Sequence, residues 1–442
     1  MDAIIHHAGP LHGSLVVPPD KAICHRAVLA AALAEGQTIL QPWPAADDCQ
    51  RTLEVIRRLG VSVERTAGAV RISGRGRQGL CAPQEALDCG ESGTTLRLLA
   101  GLLAGQPFES TLTAGPSLSR RPMRRIVEPL CRMGARMEGR VAADGSQELY
   151  APLTIRGRRP LRAIRYEMPL ASAQVKSAIL LAGLSADGRT TVVEPHQTRD
   201  HTERILRACG VRLHREGRAV SLDPRPLSSP GPLTLPRDFS SAAFFVTAAC
   251  CVPGSRIELS GVGLNPTRTS LLEVLRRMGA KVHARLTEER WEPSGSIVAE
   301  SSPLRGIAVN AEEVPGLIDE LPILMVAAAC AQGTTRLSGV GELRVKETDR
   351  IRSMVDGLKR LGVPVRLPAA DVVEIDGARL AGAELESAGD HRTAMSLAVA
   401  SLIADGHTTV RGAGCVAKSY PEFFDHLRAV TSSSTVKTVD KA

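Results

Sequence analysis

LAAALAEGQTIL (29–40) sets an Ala/Leu run of helical length before a glycine and a β-branched stretch, and this order recurs five more times in the 442-residue chain. The recurrences are LLAGLLAGQPFESTL (98–112), AILLAGLSADGRTTV (178–192), AAFFVTAACCVPGSRI (242–257), ILMVAAACAQGTTRL (323–337) and LAVASLIADGHTTV (397–410). Their glycines, Gly36, Gly105, Gly188, Gly254, Gly333 and Gly406, stand roughly 65–85 residues apart, a spacing that fits a whole supersecondary unit. A helix that is apolar on nearly every side is a buried helix. A short polar cluster precedes each one, so polar chemistry is concentrated at six helix N-termini.

A second kind of segment lies between them: EVIRRLGVSV (54–63), EPLCRMGARM (128–137), RILRACGVRL (204–213), EVLRRMGAKV (273–282) and DGLKRLGVPV (356–365). Each has apolar residues at i, i+3 and i+4, basic residues near its end, a glycine C-cap and then an alternating strand. A sixth copy, DHLRAVTSSS (425–434), loses the glycine. The expected fold class is α/β: a helix–strand–helix–strand–strand unit repeated six times, three units to a globe, giving two domains. The tail TSSSTVKTVDKA (431–442) is polar and aperiodic and is expected to be disordered.

With 2 Trp, 3 Tyr and 6 Phe, the core must be aliphatic. No uncharged apolar run reaches the length of a membrane span, and MDAIIHHAGP lacks the pattern of a signal peptide. The ten cysteines form neither CxxC nor a zinc-spaced cluster, which points to reduced thiols, a cytoplasmic location and no metal. A formal charge of +8 implies an anionic partner. Nucleic acid fits poorly, because single-strand binders interleave aromatics with their basic residues. Small phosphorylated or carboxylated substrates fit better.

The six lead-ins are PDKAICHR (19–26), DCGESGTTLR (88–97), PLASAQVKSA (169–178), RDFSSAAF (237–244), GLIDELPI (316–323) and GDHRTAM (389–395). Asp238, Ser240 and Ser241 read as caps. Lys21, Arg26, Arg97 and Arg392 do not, since a cation at a helix N-terminus opposes the macrodipole unless an anion offsets it; Arg97 reads equally as half of a structural pair. Outside the repeat, LSRRPMRRI (118–126) clusters arginines around a proline that stops a helix running through. ELRVKETDRIR (342–352) collects Arg344, Lys346, Glu347, Asp349 and Arg350. On a helix Lys346 and Arg350 would share a face, leaving a solvated charged helix as the alternative to a site.

PDKAICHR, GESGTTLR, SRRPM, ASAQVKSA, TRDHTE (198–203), IDELP, ELRVKETDR, DHRTAM and AKSYP (417–421) occur in the order found in one family. From about residue 10 to 427 the chain resembles the 5-enolpyruvylshikimate-3-phosphate synthases, or 3-phosphoshikimate 1-carboxyvinyltransferases, in particular a bacterial branch with the ASAQ form. The resemblance implies a two-domain enolpyruvyl transferase fold of six β/α units, with buried parallel helices and a cleft between the domains. It implies a substrate domain at 21–237 and a second domain formed by 1–20 with 238–430.

The implied reaction transfers the enolpyruvyl group of phosphoenolpyruvate to the 5-hydroxyl of shikimate 3-phosphate by addition and then elimination of phosphate. The implied partners are these two anions and no nucleic acid or membrane; the chain would act as a monomer without a cofactor. By family position, Lys21, Gly93, Arg121, Gln174, Arg350, Arg392 and Lys418 would hold phosphoenolpyruvate. Lys21, Ala22, Arg26, Ser172, Gln174, Arg199, Asp319 and Lys346 would hold shikimate 3-phosphate. Asp319 would be the general base and Glu347 would handle a proton at the methylene carbon, with Lys21 the third catalytic group.

Two departures stand out. Ala22 replaces a serine that contacts shikimate 3-phosphate in the family, a loss of about 1–3 kcal/mol if nothing replaces the hydroxyl. Glu91 replaces an asparagine close to phosphoenolpyruvate. A carboxylate a few ångströms from an anion is unfavourable by roughly 1–4 kcal/mol, so Glu91 is neutralised, turned away, or a sign of a different substrate. The alternatives are a diverged enolpyruvyl transferase with another hydroxylated acceptor and a non-catalytic binding paralogue. The nucleotide-sugar enzyme of this architecture is disfavoured because the 114–123 loop lacks its reactive cysteine.

Overall fold

The computed structural model describes residues 1–142, 144–432 and 434–440. The chain divides into two compact units, one formed by Met1–Pro18 with Pro236–Ala442 and the other by Pro19–Leu235. Each unit repeats one motif around aliphatic helices whose residues are buried on almost every side.

The motif is clearest around helix Gly93–Ala104. Strand Leu87–Asp88 precedes it and pairs in parallel with Glu109–Thr113, which pairs antiparallel with Leu149–Arg156, itself antiparallel to Arg136–Val141. Helix Arg124–Arg132 lies between these strands in sequence and carries its charges on one face. Helices Lys21–Leu33, Ala173–Gly183, Phe239–Cys251, Leu321–Ala329 and His391–Ile403 are the other buried members. The short parallel strand that opens each sheet carries no signal in the sequence, because two to four residues cannot establish an alternation.

The second helices end as their glycines require. Gly60, Gly134, Gly210, Gly279 and Gly362 all have positive φ. In each case the following amide reaches back a full turn, as in Val61 N to Ile56 O at 3.1 Å and Val211 N to Leu206 O at 2.9 Å. The copy without glycine, helix Phe423–Val430, ends instead in extended backbone at Thr431.

In each unit one sheet is completed by strands from the ends of the stretch that forms it. Leu227–Ser228 and Pro232–Thr234 add in parallel to Ala34–Gln41. Asp2–His6 lies between His407–Arg411 and Val436–Val439, antiparallel to both. The expected disorder of 431–442 is therefore corrected: three of the four residues of Val436–Val439 are β-branched, and the edge of Asp2–His6 offers the segment a partner. Ser433, Lys441 and Ala442 lie outside the described residues.

A second correction concerns 342–352, which is not one helix. A 3-10 turn covers Gly341–Val345, Lys346 is extended, and helix Arg350–Arg360 begins only after Asp349, whose Oδ1 accepts from Arg352 N at 3.0 Å. Lys346 and Arg350 therefore do not share a helical face. Among the described residues no helix is long and apolar enough to cross a membrane.

Helices Gly93–Ala104 and Ala173–Gly183 meet backbone to backbone. A Cβ on Gly101 would lie 2.2 Å from Ala178 O and 2.6 Å from Ala178 Cα. Gly101→Val should therefore lower stability by about 1–3 kcal/mol or more through overpacking, read as a fall in the urea midpoint; an unchanged midpoint would show that the helices can separate at no cost.

Candidate active site

Buried helices cannot turn their first amides to water, so side chains must accept from them. Asp20 accepts from Ala22 N and Ile23 N, Ser92 from Thr95 N, Ser172 from Val175 N, Asp238 from Ser240 N, and Asp390 from Arg392 N and Thr393 N. Asp238 is thus the cap that its sequence suggests. The sixth start, before Leu321–Ala329, has no side-chain cap, and it is the one that carries Asp319 and Glu320.

In the unit Pro19–Leu235, Lys21 opens its helix and its Nζ lies 3.0 Å from Asp48 Oδ2. Asp20 and Asp48 offset the unfavourable placement of this cation at a helix N-terminus. Arg26 is buried and donates from Nε to Thr202 Oγ1 at 2.9 Å, from Nη1 to Ala22 O at 2.7 Å and from Nη2 to Ser177 Oγ at 3.2 Å. It thereby joins the 19–26, 169–178 and 198–203 segments. Gln174 accepts from Arg97 Nη1 at 2.7 Å and donates to Thr94 Oγ1 at 3.0 Å, which fixes its amide. Arg97 is fully buried, and its Nη2 also donates to Pro122 O at 3.4 Å. A Cβ on Gly93 would lie 2.8 Å from Arg121 Nη1, so the guanidinium sits directly over the glycine.

Arg199 is half-buried and follows a loop held from beneath. Lys176, fully buried, lies 3.0 Å from Glu194 Oε1 and 2.7 Å from Glu203 Oε1, both also buried. Arg215 Nη2 lies 2.7 Å from Glu194 Oε2, and Glu194 accepts from Thr198 N at 2.9 Å. Sequence reading passed over Lys176 although it lies inside ASAQVKSA; the available signal was an ionisable residue amid the apolar positions of a buried helix. Asp48 was missed for the opposite reason, since an acid in a first turn is ordinary.

In the other unit, Asp319, Glu347, Arg350 and Arg392 converge. Arg350 is almost wholly buried: Nε is 2.8 Å from Asp390 Oδ2, Nη2 is 2.5 Å from Glu347 Oε2 and Nη1 is 3.6 Å from Asp319 Oδ1. Burial alone would lower its pKa, but Glu347, Asp390 and Asp319 together raise it. Arg392 donates from Nη1 to Asp319 O at 2.8 Å, and its Nη2 is 3.7 Å from Asp319 Oδ2. Glu320 accepts from Arg268 Nη1 at 2.8 and 2.9 Å. Lys346 pairs with Glu342 at 3.4 Å, and Lys418 ends the 3-10 turn Ala413–Lys418. Among the described residues no group of three or more His, Cys, Asp or Glu could hold a metal ion.

Glu91 does not face a cation of these sets. Its Oε1 accepts from Ser117 N at 3.2 Å and its Oε2 from Leu118 N at 2.8 Å. Of the three outcomes open for this residue, the carboxylate is turned aside, towards the 115–118 loop.

A hydroxyl chain ties two helix starts together. His25 Nδ1 is 2.7 Å from Thr52 Oγ1, Thr52 Oγ1 is 2.8 Å from Thr95 Oγ1, and Thr95 Oγ1 is 2.7 Å from Ser92 Oγ. Burial pushes the His25 pKa down from 6.5 to about 4, so the folded ring is neutral. Below pH 6.5 the unfolded chain takes a proton that the folded chain refuses. This term is absent above pH 6.5, and it removes about 2 kcal/mol of stability by pH 5. Urea midpoints measured from pH 7.5 to pH 5 should fall accordingly, and His25→Asn should flatten that fall; equal slopes would remove His25 as the cause.

The chain matches the family model described as EPSP synthase (3-phosphoshikimate 1-carboxyvinyltransferase) over residues 5–427. It is 49% identical to the 3-phosphoshikimate 1-carboxyvinyltransferase of Halorhodospira halophila, covering 95% of this chain and 94% of that one. It is 44% identical to that of Shouchella clausii, covering 95% and 96%. Among solved structures it is similar to the EPSP synthase of Acinetobacter baumannii, with a TM-score of 0.87, 41% identity and all of both chains covered. The enolpyruvyl transferase NikO of Streptomyces tendae, 20% identical with a TM-score of 0.76 over 100% of this chain and 99% of that one, shares the fold.

Proposed function

The chain belongs to the EPSP synthase family, and we propose that it transfers the enolpyruvyl group of phosphoenolpyruvate to the 5-hydroxyl of shikimate 3-phosphate, releasing phosphate. The observation that carries the reading is the arrangement of two carboxylates, Asp319 and Glu347, on either side of the Arg350 guanidinium, with Arg392 on Asp319. Proton-transfer groups are thereby held among the cations that a phosphate and a carboxylate need. A binding paralogue would need no proton-transfer group at either position.

In the addition step the 5-hydroxyl oxygen bonds to C2 of phosphoenolpyruvate. The hydroxyl proton passes to Asp319, and C3 takes a proton from Glu347, so that the methylene becomes a methyl group. In the elimination step the methyl group gives its proton back to Glu347 to restore the double bond, the bond from C2 to the phosphate oxygen breaks, and phosphate leaves with the proton that Asp319 took from the hydroxyl. Lys21, Arg121, Arg350, Arg392 and Lys418 offset the charge on the phosphate and carboxylate through these steps, with Gly93 and Gln174 at the same substrate. Arg26, Ser172, Arg199 and Lys346 hold shikimate 3-phosphate. Ala22 has no hydroxyl to offer and contributes only backbone. No observation on Glu91 favours a different acceptor, since its carboxylate is taken up by backbone amides. We read the chain as a cytoplasmic monomer, a location that its ten free thiols support.

Purified protein should release phosphate from phosphoenolpyruvate only when shikimate 3-phosphate is also present; release with phosphoenolpyruvate alone, or none with both, would remove the reading. Asp319→Asn should lower kcat by about 10²–10⁴ with a small effect on shikimate 3-phosphate binding measured by calorimetry. Lys21→Ala should abolish turnover while circular dichroism remains that of the parent. Near-parental turnover in either variant would strike that residue from the catalytic set.

A further inference from the structure

We infer that Glu91 is a positioning residue for phosphoenolpyruvate, acting through the 115–121 loop to hold Arg121 over Gly93. The inference rests on the proposed roles of Arg121 and Gly93, and it reverses the sign that simple charge repulsion assigns to Glu91.

Glu91 immediately precedes Ser92, the cap of helix Gly93–Ala104. Its side chain crosses to the next loop and accepts from two successive amides, Ser117 N and Leu118 N, at 3.2 and 2.8 Å. Those amides open the 3-10 turn Leu118–Arg120, where a carboxylate is the favoured acceptor. The same turn carries Arg121, whose own amide donates back to Leu118 O at 3.0 Å. A continuous run of hydrogen bonds therefore leads from the Glu91 carboxylate to the Arg121 backbone.

The contact is built for a carboxylate of this length. A Cβ on Gly115 would stand 2.5 Å from Glu91 Oε1 and 2.8 Å from its Cδ, so only glycine leaves the carboxylate its place. Gly115 N donates to Gly90 O at 2.8 Å, which locks the two segments together beside the carboxylate. At the far end, the Arg121 guanidinium lies 2.8 Å from where a Gly93 Cβ would be. Asparagine is one methylene too short to span this gap, and glutamine offers a single oxygen to the two amides.

The test is steady-state kinetics with each substrate varied, on Glu91→Ala, Glu91→Gln, Glu91→Asn, Gly115→Ala and Arg121→Ala. Glu91→Ala, Glu91→Asn and Gly115→Ala should each raise KM for phosphoenolpyruvate about tenfold and change KM for shikimate 3-phosphate less than twofold, with Glu91→Gln between them and the parent. Because Gly115→Ala breaks the same link, the double variant Glu91→Ala/Gly115→Ala should be no worse than Glu91→Ala alone. Arg121→Ala should cost much less in the Glu91→Ala background than in the parent. A lower KM for phosphoenolpyruvate in Glu91→Asn would show that the carboxylate faces the substrate, and an unchanged one that the link has no role; either overturns the proposal while the assigned function stands. Parallel rises in both KM values would mark general damage, and additive losses an independent site; both overturn it too. If Arg121→Ala leaves KM for phosphoenolpyruvate unchanged, the assignment of Arg121 itself fails and the proposal with it. Should Glu91→Ala not fold, Glu91→Gln and Gly115→Ala carry the same comparison.

Discussion

A helix buried on all sides must satisfy its first amides inside the protein, and this constraint organises both units. Asp20, Ser92, Ser172, Asp238 and Asp390 meet it. Each such cap brings a polar side chain to a fixed place at the end of a rigid element. The residues next to the caps inherit that precision: Lys21 after Asp20, Gly93 after Ser92, Arg392 two residues after Asp390. The fold thereby presents chemistry at its helix starts without the need for long loops. The helix start that lacks a side-chain cap is also the one where Asp319 and Glu320 serve arginines instead.

Several of the cations gathered at these positions would be costly alone, and acids meet them. Lys21 has Asp48, Lys176 has Glu194 and Glu203, and Arg350 has Asp390, Glu347 and Asp319. In a buried pair the loss of either partner costs about 3–5 kcal/mol, because an uncompensated charge remains. The networks therefore hold geometry more than they add stability. Arg350 fixes the distance between the two carboxylates assigned to proton transfer, and Lys176 holds the loop that ends at Arg199. Asp390 both caps its helix and pairs with Arg350, so one carboxylate aligns two elements.

Much of this was legible in the chain itself. The alternation of wholly apolar with one-sided helices, the C-terminal glycines and the cations in the lead-ins all came from spacing, and the ordered motifs identified the family. The legible features share a cause: each depends on a few neighbouring residues. The 342–352 segment was not legible, because its charges suit a helix until Asp349 is seen to cap one that starts later. The tail was misjudged because the stability of Val436–Val439 comes from the edge of Asp2–His6, more than four hundred residues away.

By itself, then, the sequence determined six units, their two helix classes, where glycine must turn the chain, and which residue types stand at the helix starts. These follow from periodicity and backbone stereochemistry, which act over one or two turns. Only the tertiary structure decided the partners: Asp48 for Lys21, Glu194 and Glu203 for Lys176, and the backbone amides of Ser117 and Leu118 for Glu91. Charge alone set Glu91 against an anionic substrate. The folded chain turns the same carboxylate onto a loop, because a charge answers to whatever dipoles lie within a few ångströms of it, and sequence distance does not say which those are.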